Sequence, residues 1–128
     1  MSVHDQNKAL ITPFRRALYD YDEPTLRAEV EQLFSNGASV RLSYPFETLS
    51  GPTGLIDDAL MPLARAMPDL ERRDTIVMAG RSPSPLNVDW VGCCGCYTGT
   101  FDAPFLDIPP TGHQASLRFH EFFRFENG

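Results

Sequence analysis

The stretch SLRFHEFFRFENG, residues 116–128, alternates as a β-strand does and carries one carboxylate among apolar side chains. With a two-residue period, the face that holds Glu121 also holds four apolar residues: Leu117, Phe119, Phe123 and Phe125. If helices cover this face, burial disfavours the charged form of Glu121 and raises its pKa. A carboxyl group with a raised pKa can take up and return a proton near neutral pH, as general acid–base catalysis on a carbonyl compound requires. The functional interpretation of this pattern is that Glu121 is a catalytic acid–base.

The alternative interpretation of Glu121 is structural. The carboxylate could pair with an arginine such as Arg41 or Arg118, or strand twist could let it reach water, and ion-pair networks also perturb carboxylates. His120 is the next residue along the strand, but its side chain points to the opposite face, so we do not expect it to be the partner. A raised pKa of Glu121 favours an enzyme, whereas a lowered pKa, which signals an ion pair, favours a non-catalytic domain.

Three helices are predicted upstream of the late strands. Thr12 and Pro13 form an N-cap followed by a proline at the first helical position. Asp22 and Pro24 repeat that start signal for a second helix. The segment LIDDALMPLARAMPDL, residues 55–70, has helical spacing, and Pro62 inside it predicts a kink or a break.

Strands are predicted once before the third helix and three times after it. Alternation of apolar and polar residues over 40–46 predicts a half-buried strand. The later strands are predicted in RDTIVMAG (73–80), VDWVGCCGCYTGTF (88–101) and HQASLRFHEFFRF (113–125). The order α, α, β, α, β, β, β, with helices early and strands late, indicates an α+β fold with an antiparallel sheet and helices packed on one face.

The length and the charge of the chain limit its class. Residues 1–128 suffice for a single domain with its own core. The net charge of −6 argues against a nucleic-acid partner, because phosphate neutralisation needs clustered Lys and Arg. The basic pairs Arg15-Arg16 and Arg72-Arg73 are isolated, so we expect them on solvated faces of the protein.

The cysteines and the lengths of the apolar runs indicate the cellular compartment. Cys93, Cys94 and Cys96 crowd one strand as an odd number without a distant partner, so they offer no disulfide framework. No Cys or His cluster follows at ligand spacing, so we predict buried structural thiols and no metal. No apolar run has the length that spans a bilayer and the N-terminal residues lack a signal-peptide pattern, so we expect no membrane partner and a cytoplasmic location.

Several motifs, in this order, resemble one known family. The element order together with PDLERRD, DWVGCCGCYTGTF, LDIPPTG and HEFFRFENG is similar to the SnoaL-like polyketide cyclases of the nuclear transport factor 2 superfamily. The resemblance covers residues 10–128. It implies a cystatin-like cone, in which a strongly curved antiparallel sheet surrounds a pocket and the N-terminal helices pack on its concave face. It also implies that no metal or organic cofactor is used.

The resemblance also assigns a role to Glu121. The family closes a ring of a polyketide methyl ester by an intramolecular aldol reaction, with an Asp as acid–base in a motif that reads DIFRFEDG. Glu121 falls at the position of that Asp, which moves the carboxylate outward by one methylene. At Cys96 related sequences often carry His or another polar residue. The residues expected to line the pocket are Tyr19, Tyr44, Trp90, Cys96, Phe105, Phe119 and Phe123.

The functions that remain open share this pocket. The first is a cofactor-independent cyclase of small-molecule metabolism that acts on an apolar carbonyl or ester ligand through Glu121. The second is a double-bond isomerase or a hydrolase, since proton abstraction next to a carbonyl serves both. The third is a non-catalytic domain that binds a small ligand. By analogy with the family, and because Phe122 and His120 face outward, we expect a homodimer through the outer face of the sheet.

The end of the chain carries a hairpin signal. Asn127-Gly128 after an alternating strand is typical of a two-residue turn, and in the family a further strand follows it. The simplest interpretation is a truncated or partial chain, in which residues 1–128 are one SnoaL-like domain without its last strand. If the chain does end at Gly128, the preceding strand has an unpaired edge that could pair with another subunit.

Overall fold

The helices and strands lie in the order that the sequence predicts, with one strand replaced by a short hairpin. The structure is a computed structural model and describes residues 1–128. Its elements are α1 (Val3–Tyr19), α2 (Glu23–Leu33), β1 (Val40–Arg41), β2 (Thr48–Leu49), α3 (Gly51–Gly54), a π-helical segment (Leu55–Leu60), α4 (Met61–Ala66), β3 (Glu71–Arg81), β4 (Asp89–Thr100) and β5 (Gln114–Phe125). None of the helices combines the length and the apolar character needed to cross a bilayer.

Helix α1 begins earlier than predicted. Ser2 and Asp5 form a capping box, in which the Ser2 hydroxyl oxygen accepts from the Asp5 amide at 3.1 Å and the Asp5 carboxylate accepts from the Ser2 amide at 3.4 Å. Thr12 is therefore not an N-cap; it lies inside α1 and donates to the carbonyl of Lys8. Pro13 also lies inside the helix. The predicted start at Thr12 and Pro13 is wrong because a stronger cap lies ten residues upstream.

The other two helix predictions are confirmed. Asp22 is the N-cap of α2 and its carboxylate accepts from the amide of Thr25. The helical stretch around Pro62 changes from π to α geometry at Met61, where the Met61 amide still donates to the carbonyl of Ile56. Pro62 is the second residue of α4, which continues from the π-helical segment without a gap. The regular helix is thus interrupted beside Pro62, as expected.

The strand predicted over 40–46 is wrong beyond Arg41. Only Val40–Arg41 pairs, with Thr48–Leu49, in a two-stranded hairpin. Pro45 has no amide hydrogen for a ladder, and the amide of Phe46 turns back to the carbonyl of Ser43 at 3.1 Å. Tyr44, at the tip, is 86% exposed.

The main sheet has three antiparallel strands in the order β3-β4-β5. We call the face that contacts α1 the inner face and the opposite one the outer face. Phe14 of α1 packs edge-on against Phe123 of β5, with ring centroids 5.7 Å apart, and Ile11 packs against Val91 of β4. The predicted α+β class, with helices on one face of an antiparallel sheet, is confirmed.

A β-bulge in β3 sets which side chains face inward. The register shifts between Asp74 and Ile76, so Thr75 is an extra residue without a partner in β4. Gly95 lies opposite the bulge, and a Cβ atom there would lie 1.9 Å from the carbonyl oxygen of Arg73. Because of the bulge, Asp74 before it and Val77 after it both lie on the inner face, together with Arg72.

Candidate active site

Glu121 lies on the inner face of β5, as the alternation of that strand predicts. It pairs in register with Cys93 of β4 and is flanked along its own strand by Phe119 and Phe123. Its partner is Arg72 of β3, whose guanidinium donates a hydrogen bond to a carboxylate oxygen of Glu121. Arg72 reaches Glu121 from a strand that is not hydrogen-bonded to β5. The ion pair therefore spans the whole width of the sheet.

Arg72 is the centre of a buried network. Its side chain has no exposed surface. The guanidinium donates from Nη2 to Oδ1 of Asp74 at 3.0 Å, from Nε to both oxygens of Asp74 at 3.3 Å, and from Nη1 to the hydroxyl oxygen of Tyr97 at 3.3 Å. Arg15 of α1 donates from Nε to Oδ2 of Asp74 at 3.1 Å. We call Arg15, Arg72, Asp74 and Glu121 the charge cluster.

Aromatic rings surround the guanidinium of Arg72. The ring of Phe119 lies below it, with 4.2 Å between the guanidinium carbon and the ring centroid. The rings of Phe14 and Tyr97 lie 6.0 Å and 5.8 Å away. These rings keep water from the guanidinium of Arg72, so its positive charge is balanced by the carboxylates of the charge cluster.

Glu121 has both a raised pKa and an ion pair with an arginine, two features that were expected to exclude each other. Burial raises the pKa of Glu121 above its ordinary value, and the guanidinium of Arg72 opposes that rise. Burial alone lowers the pKa of Arg72, but its neighbours Tyr97 and Glu121 raise it above the ordinary value, so the arginine stays charged. Glu121 is therefore both ion-paired and easier to protonate than an exposed glutamate.

Glu121 is the most exposed carboxylate of the charge cluster. Its side chain is 27% exposed, against 10% for Asp74 and none for Arg72. Among the members of the charge cluster, the side chain of Glu121 thus has the largest exposed fraction, and Arg72 binds its carboxylate. This arrangement can orient one carboxylate and move one proton.

The tyrosine and the cysteine beside Glu121 stay neutral. Burial raises the pKa of Tyr97 well above its usual range, and the charge of Glu121 adds to that rise. Burial likewise raises the pKa of the Cys93 thiol to about 11, so it is not a reactive thiolate. Cys93 is buried as predicted, whereas Cys94 and Cys96 are only half-buried. His, Cys, Asp and Glu side chains nowhere gather in the group of three that could hold a metal ion.

The residues expected to line a pocket are scattered. Phe119 and Phe123 flank Glu121 on the inner face. Trp90 and Cys96 face outward, because β4 places only its odd-numbered residues opposite the inner-facing residues of β5. Tyr44 is exposed in the hairpin loop. The expectation that Trp90, Cys96 and Tyr44 share a pocket with Glu121 is therefore wrong.

The remaining two expected residues lie at the margins. Tyr19 is 43% exposed at the end of α1, where the guanidinium of Arg73 stacks on its ring at 5.2 Å. Phe105 lies in the loop between β4 and β5 and packs against Phe46, with ring centroids 6.3 Å apart. Neither residue contacts the charge cluster in the hydrogen bonds or ring contacts of the structure.

Three members of the charge cluster, Arg15, Arg72 and Asp74, were not predicted from the sequence as site residues. Arg15 and Arg72 were expected on solvated faces, yet Arg72 is fully buried and Arg15 binds Asp74. One signal could have found Arg72: it follows the apolar Leu70 by two residues, the spacing that puts two strand residues on one face. Nothing in the sequence signals the bulge that keeps Asp74 on the same face as Val77.

Comparison with solved structures shows the same fold in two other proteins. AclR from Streptomyces galilaeus, described as a candidate hydroxylase, matches 98% of this chain and 73% of its own at 21% identity and a TM-score of 0.74. A candidate SnoaL-like polyketide cyclase from Jannaschia sp. CCS1 matches 100% of this chain and 82% of its own at 18% identity and a TM-score of 0.74. No family model matches the chain, and no curated protein sequence matches it significantly.

These structures support the family resemblance at the level of the fold. The chain shares its α+β fold with both structures, and the fold class predicted from the sequence is confirmed. Identities of 21% and 18% do not carry an activity from one protein to another, since this fold hosts many functions. The function of the chain must be argued from its own charge cluster.

Proposed function

We propose that this protein is a cofactor-independent, SnoaL-like enzyme that uses Glu121 as a general acid–base on a small carbonyl or ester substrate. The observation that carries the proposal is the state of Glu121: burial raises its pKa, and yet it is the most exposed carboxylate of the charge cluster. A carboxylate of this kind exchanges protons closer to neutral pH than an exposed glutamate does.

The proton balance of the reaction involves Glu121 alone. The ionised carboxylate removes a proton from the carbon next to a carbonyl group, and the electron pair of that C–H bond forms the enolate. Glu121 is then a neutral acid, and it returns the proton to the alkoxide that forms when the enolate carbon attacks a second carbonyl. In an isomerase the proton returns to another carbon of the same substrate, so the same site can serve that reaction.

The surroundings of Glu121 favour an apolar substrate. Phe119 and Phe123 flank it along β5, so the carboxylate lies among apolar side chains, which suit an apolar ligand better than a charged one. Arg72 has no exposed surface, so its role in this proposal is to orient the carboxylate of Glu121 and not to bind the ligand.

A non-catalytic ligand-binding domain is the second candidate. The observation in its favour is the ion pair of Glu121 with Arg72, which is the pattern of a structural carboxylate. In this candidate the charge cluster fixes the position of α1 on the sheet through Arg15 and has no chemical role.

The test is a substrate screen with a matched pair of variants. Wild type, Glu121→Gln and Glu126→Gln are incubated with aromatic polyketide esters, β-keto esters and steroid enones. Glu126 is an exposed glutamate that pairs with Arg124, so it controls for loss of a glutamate without loss of the site. Mass spectrometry detects product, and thermal shift detects binding.

The expected result is turnover by wild type and Glu126→Gln, and a loss of about 10²–10⁴-fold in Glu121→Gln with binding retained. Stabilisation by a ligand without turnover in any of the three proteins would support the binding domain instead. Turnover that survives in Glu121→Gln would remove Glu121 from the chemistry.

We also propose that the protein forms a homodimer through the outer face of the sheet. Three apolar side chains there, Ile76, Met78 and Phe122, are each at least half exposed, and Phe122 is 68% exposed. Light scattering should show a dimer for wild type and a monomer for Phe122→Arg. A monomeric wild type would contradict this proposal.

A further inference from the structure

We propose that Asp74 is a positioning residue of this site: as a second counter-ion of Arg72, it lets Glu121 gain and lose a proton without leaving the buried guanidinium unpaired. The catalytic meaning of this inference rests on the proposed role of Glu121. The part of the inference that concerns charge is that the guanidinium of Arg72 pairs with both Asp74 and Glu121, and this part rests on the geometry of the charge cluster.

The geometry shows that Arg72 is shared. Its Nη2 donates to Oδ1 of Asp74 at 3.0 Å and also to Glu121, while its Nε donates to both oxygens of Asp74. Asp74 comes two residues after Arg72 in regular register, so both side chains lie on the inner face, and the bulge at Thr75 changes which residues face inward only after Asp74. Asp74 is thus held against the guanidinium by the backbone of the same strand.

The charges of the cluster explain why this sharing matters. With both carboxylates ionised, two cations and two anions are balanced. When Glu121 takes up a proton, Arg72 still has the anion of Asp74. Without that anion, protonation of Glu121 would leave the guanidinium with only the neutral hydroxyl of Tyr97, and an uncompensated buried cation is strongly unfavourable. Asp74 therefore makes the neutral form of Glu121 accessible.

Arg15 acts in the opposite direction. It binds Asp74 through Oδ2 at 3.1 Å from α1, so it competes with Arg72 for the charge of Asp74. The titratable and charged groups that face Glu121 are Arg15 from α1, Arg72 and Asp74 from β3, and Cys93 and Tyr97 from β4. Among them, Asp74 raises the pKa of Glu121, and Arg72 and Arg15 lower it.

The test follows the titration of Glu121 by NMR in protein labelled with ¹³C at the glutamate carboxyl groups. Four proteins that contain residues 1–128 are compared: wild type, Asp74→Asn, Arg15→Gln and Asp89→Asn. Asp89 is the control, because it is an aspartate of the same sheet that pairs with Arg81 outside the cluster. Glu121 is assigned by the signal that Glu121→Gln removes.

The titration midpoint of Glu121 should fall by about one pH unit or more in Asp74→Asn, should rise in Arg15→Gln, and should not change in Asp89→Asn. The two shifts have opposite signs because Asp74 is an anion and Arg15 is a cation near Glu121. An unchanged or raised midpoint in Asp74→Asn overturns the proposal. If Asp74→Asn does not fold, Arg15→Gln decides alone, since an unchanged or lowered midpoint there also overturns it.

The outcome is independent of the substrate screen. If wild type has no turnover but the two midpoints move in opposite directions, the proposed enzyme is wrong and the counter-ion role of Asp74 stands. If wild type turns over and the midpoints do not move, the enzyme stands and this role of Asp74 is wrong. Once a substrate is known, the acid limb of its pH profile should move with the midpoint in both variants.

Discussion

Two glutamates at the end of the chain, five residues apart, each pair with an arginine in opposite surroundings. Glu121 binds Arg72, which has no exposed surface, on the inner face of the sheet. Glu126 binds Arg124 just beyond the same strand, and their side chains are 64% and 53% exposed. Both pairs join a glutamate to an arginine, so comparing them shows how burial affects an ion pair.

Burial changes both the energetic cost of losing an ion-pair partner and the pKa of the carboxyl group in the pair. In water the two members of a pair lose little on separation, and exposed pairs contribute little to stability. On the inner face Arg72 cannot be removed without a large cost, because Glu121 and Asp74 would then lose the guanidinium that they share. The same burial raises the pKa of Glu121, as the proposed acid–base role requires.

The largest expected effect is on stability, in Arg72→Met. Methionine fills much of the space of the arginine stem but leaves Asp74 and Glu121 without the shared guanidinium. We expect the free energy of unfolding to fall by about 3–5 kcal/mol, as when one partner of a buried pair is removed. Urea denaturation measures it, and a loss below about 1 kcal/mol would show that the inner pair behaves as an exposed one.

The second effect concerns the bulge that follows Asp74 in β3. In Gly95→Ala the new methyl group meets the carbonyl oxygen of Arg73 at 1.9 Å, so the bulge must shift. We expect a loss of about 1–3 kcal/mol, the usual cost of overpacking. Gly80→Ala is the matched control, because nothing lies near the Cβ position of that strand glycine. Equal stability of the two variants would mean that the bulge is not a constraint.

The third effect is the pH dependence of stability. A carboxyl group whose pKa is raised by folding binds its proton more tightly in the folded state, so its contribution to stability is present at low pH. That contribution is lost as pH rises from the ordinary value of 4.5 through the raised pKa of the folded protein. The loss is about 1.4 kcal/mol for each unit of the rise. Relative to Glu121→Gln, wild type should therefore lose stability across this window, and a relative gain would contradict the assignment.

The smallest effect is expected outside the sheet. Arg124→Met removes a partner of Glu126 from a pair in which both side chains are more than half exposed. Solvent already compensates such charges, so the urea midpoint should stay within measurement error. A loss as large as that of Arg72→Met would show that burial is not what separates the two pairs.

The sequence predicted the carboxylate better than its surroundings. Strict alternation in β5 placed Glu121 on the apolar face, because side chains of a regular strand alternate without exception. The same rule over 40–46 was wrong, since Pro45 cannot pair and the chain turns at Ser43. Alternation alone therefore locates a residue only where the backbone can complete a ladder.

The partner of Glu121 was not predictable from the sequence by the same means. Arg72 lies 49 residues away, on a strand that is separated from β5 by β4. Its contact depends on strand order, on register and on the bulge at Thr75, and none of these is a local property. The arginines suggested as partners of Glu121 were Arg41 and Arg118, and Arg118 faces outward and is exposed.

The central claim is that Glu121 is a buried, ion-paired carboxylate that still takes up protons more readily than an ordinary glutamate. The most direct measurement is the ¹³C NMR titration of its carboxyl group in the unmodified protein, with Glu126 in the same spectrum as the exposed reference. A midpoint for Glu121 above 4.5 and above that of Glu126 is the predicted result. A midpoint at or below that of Glu126 would show that Arg72 outweighs burial, and it would make Glu121 a structural anion.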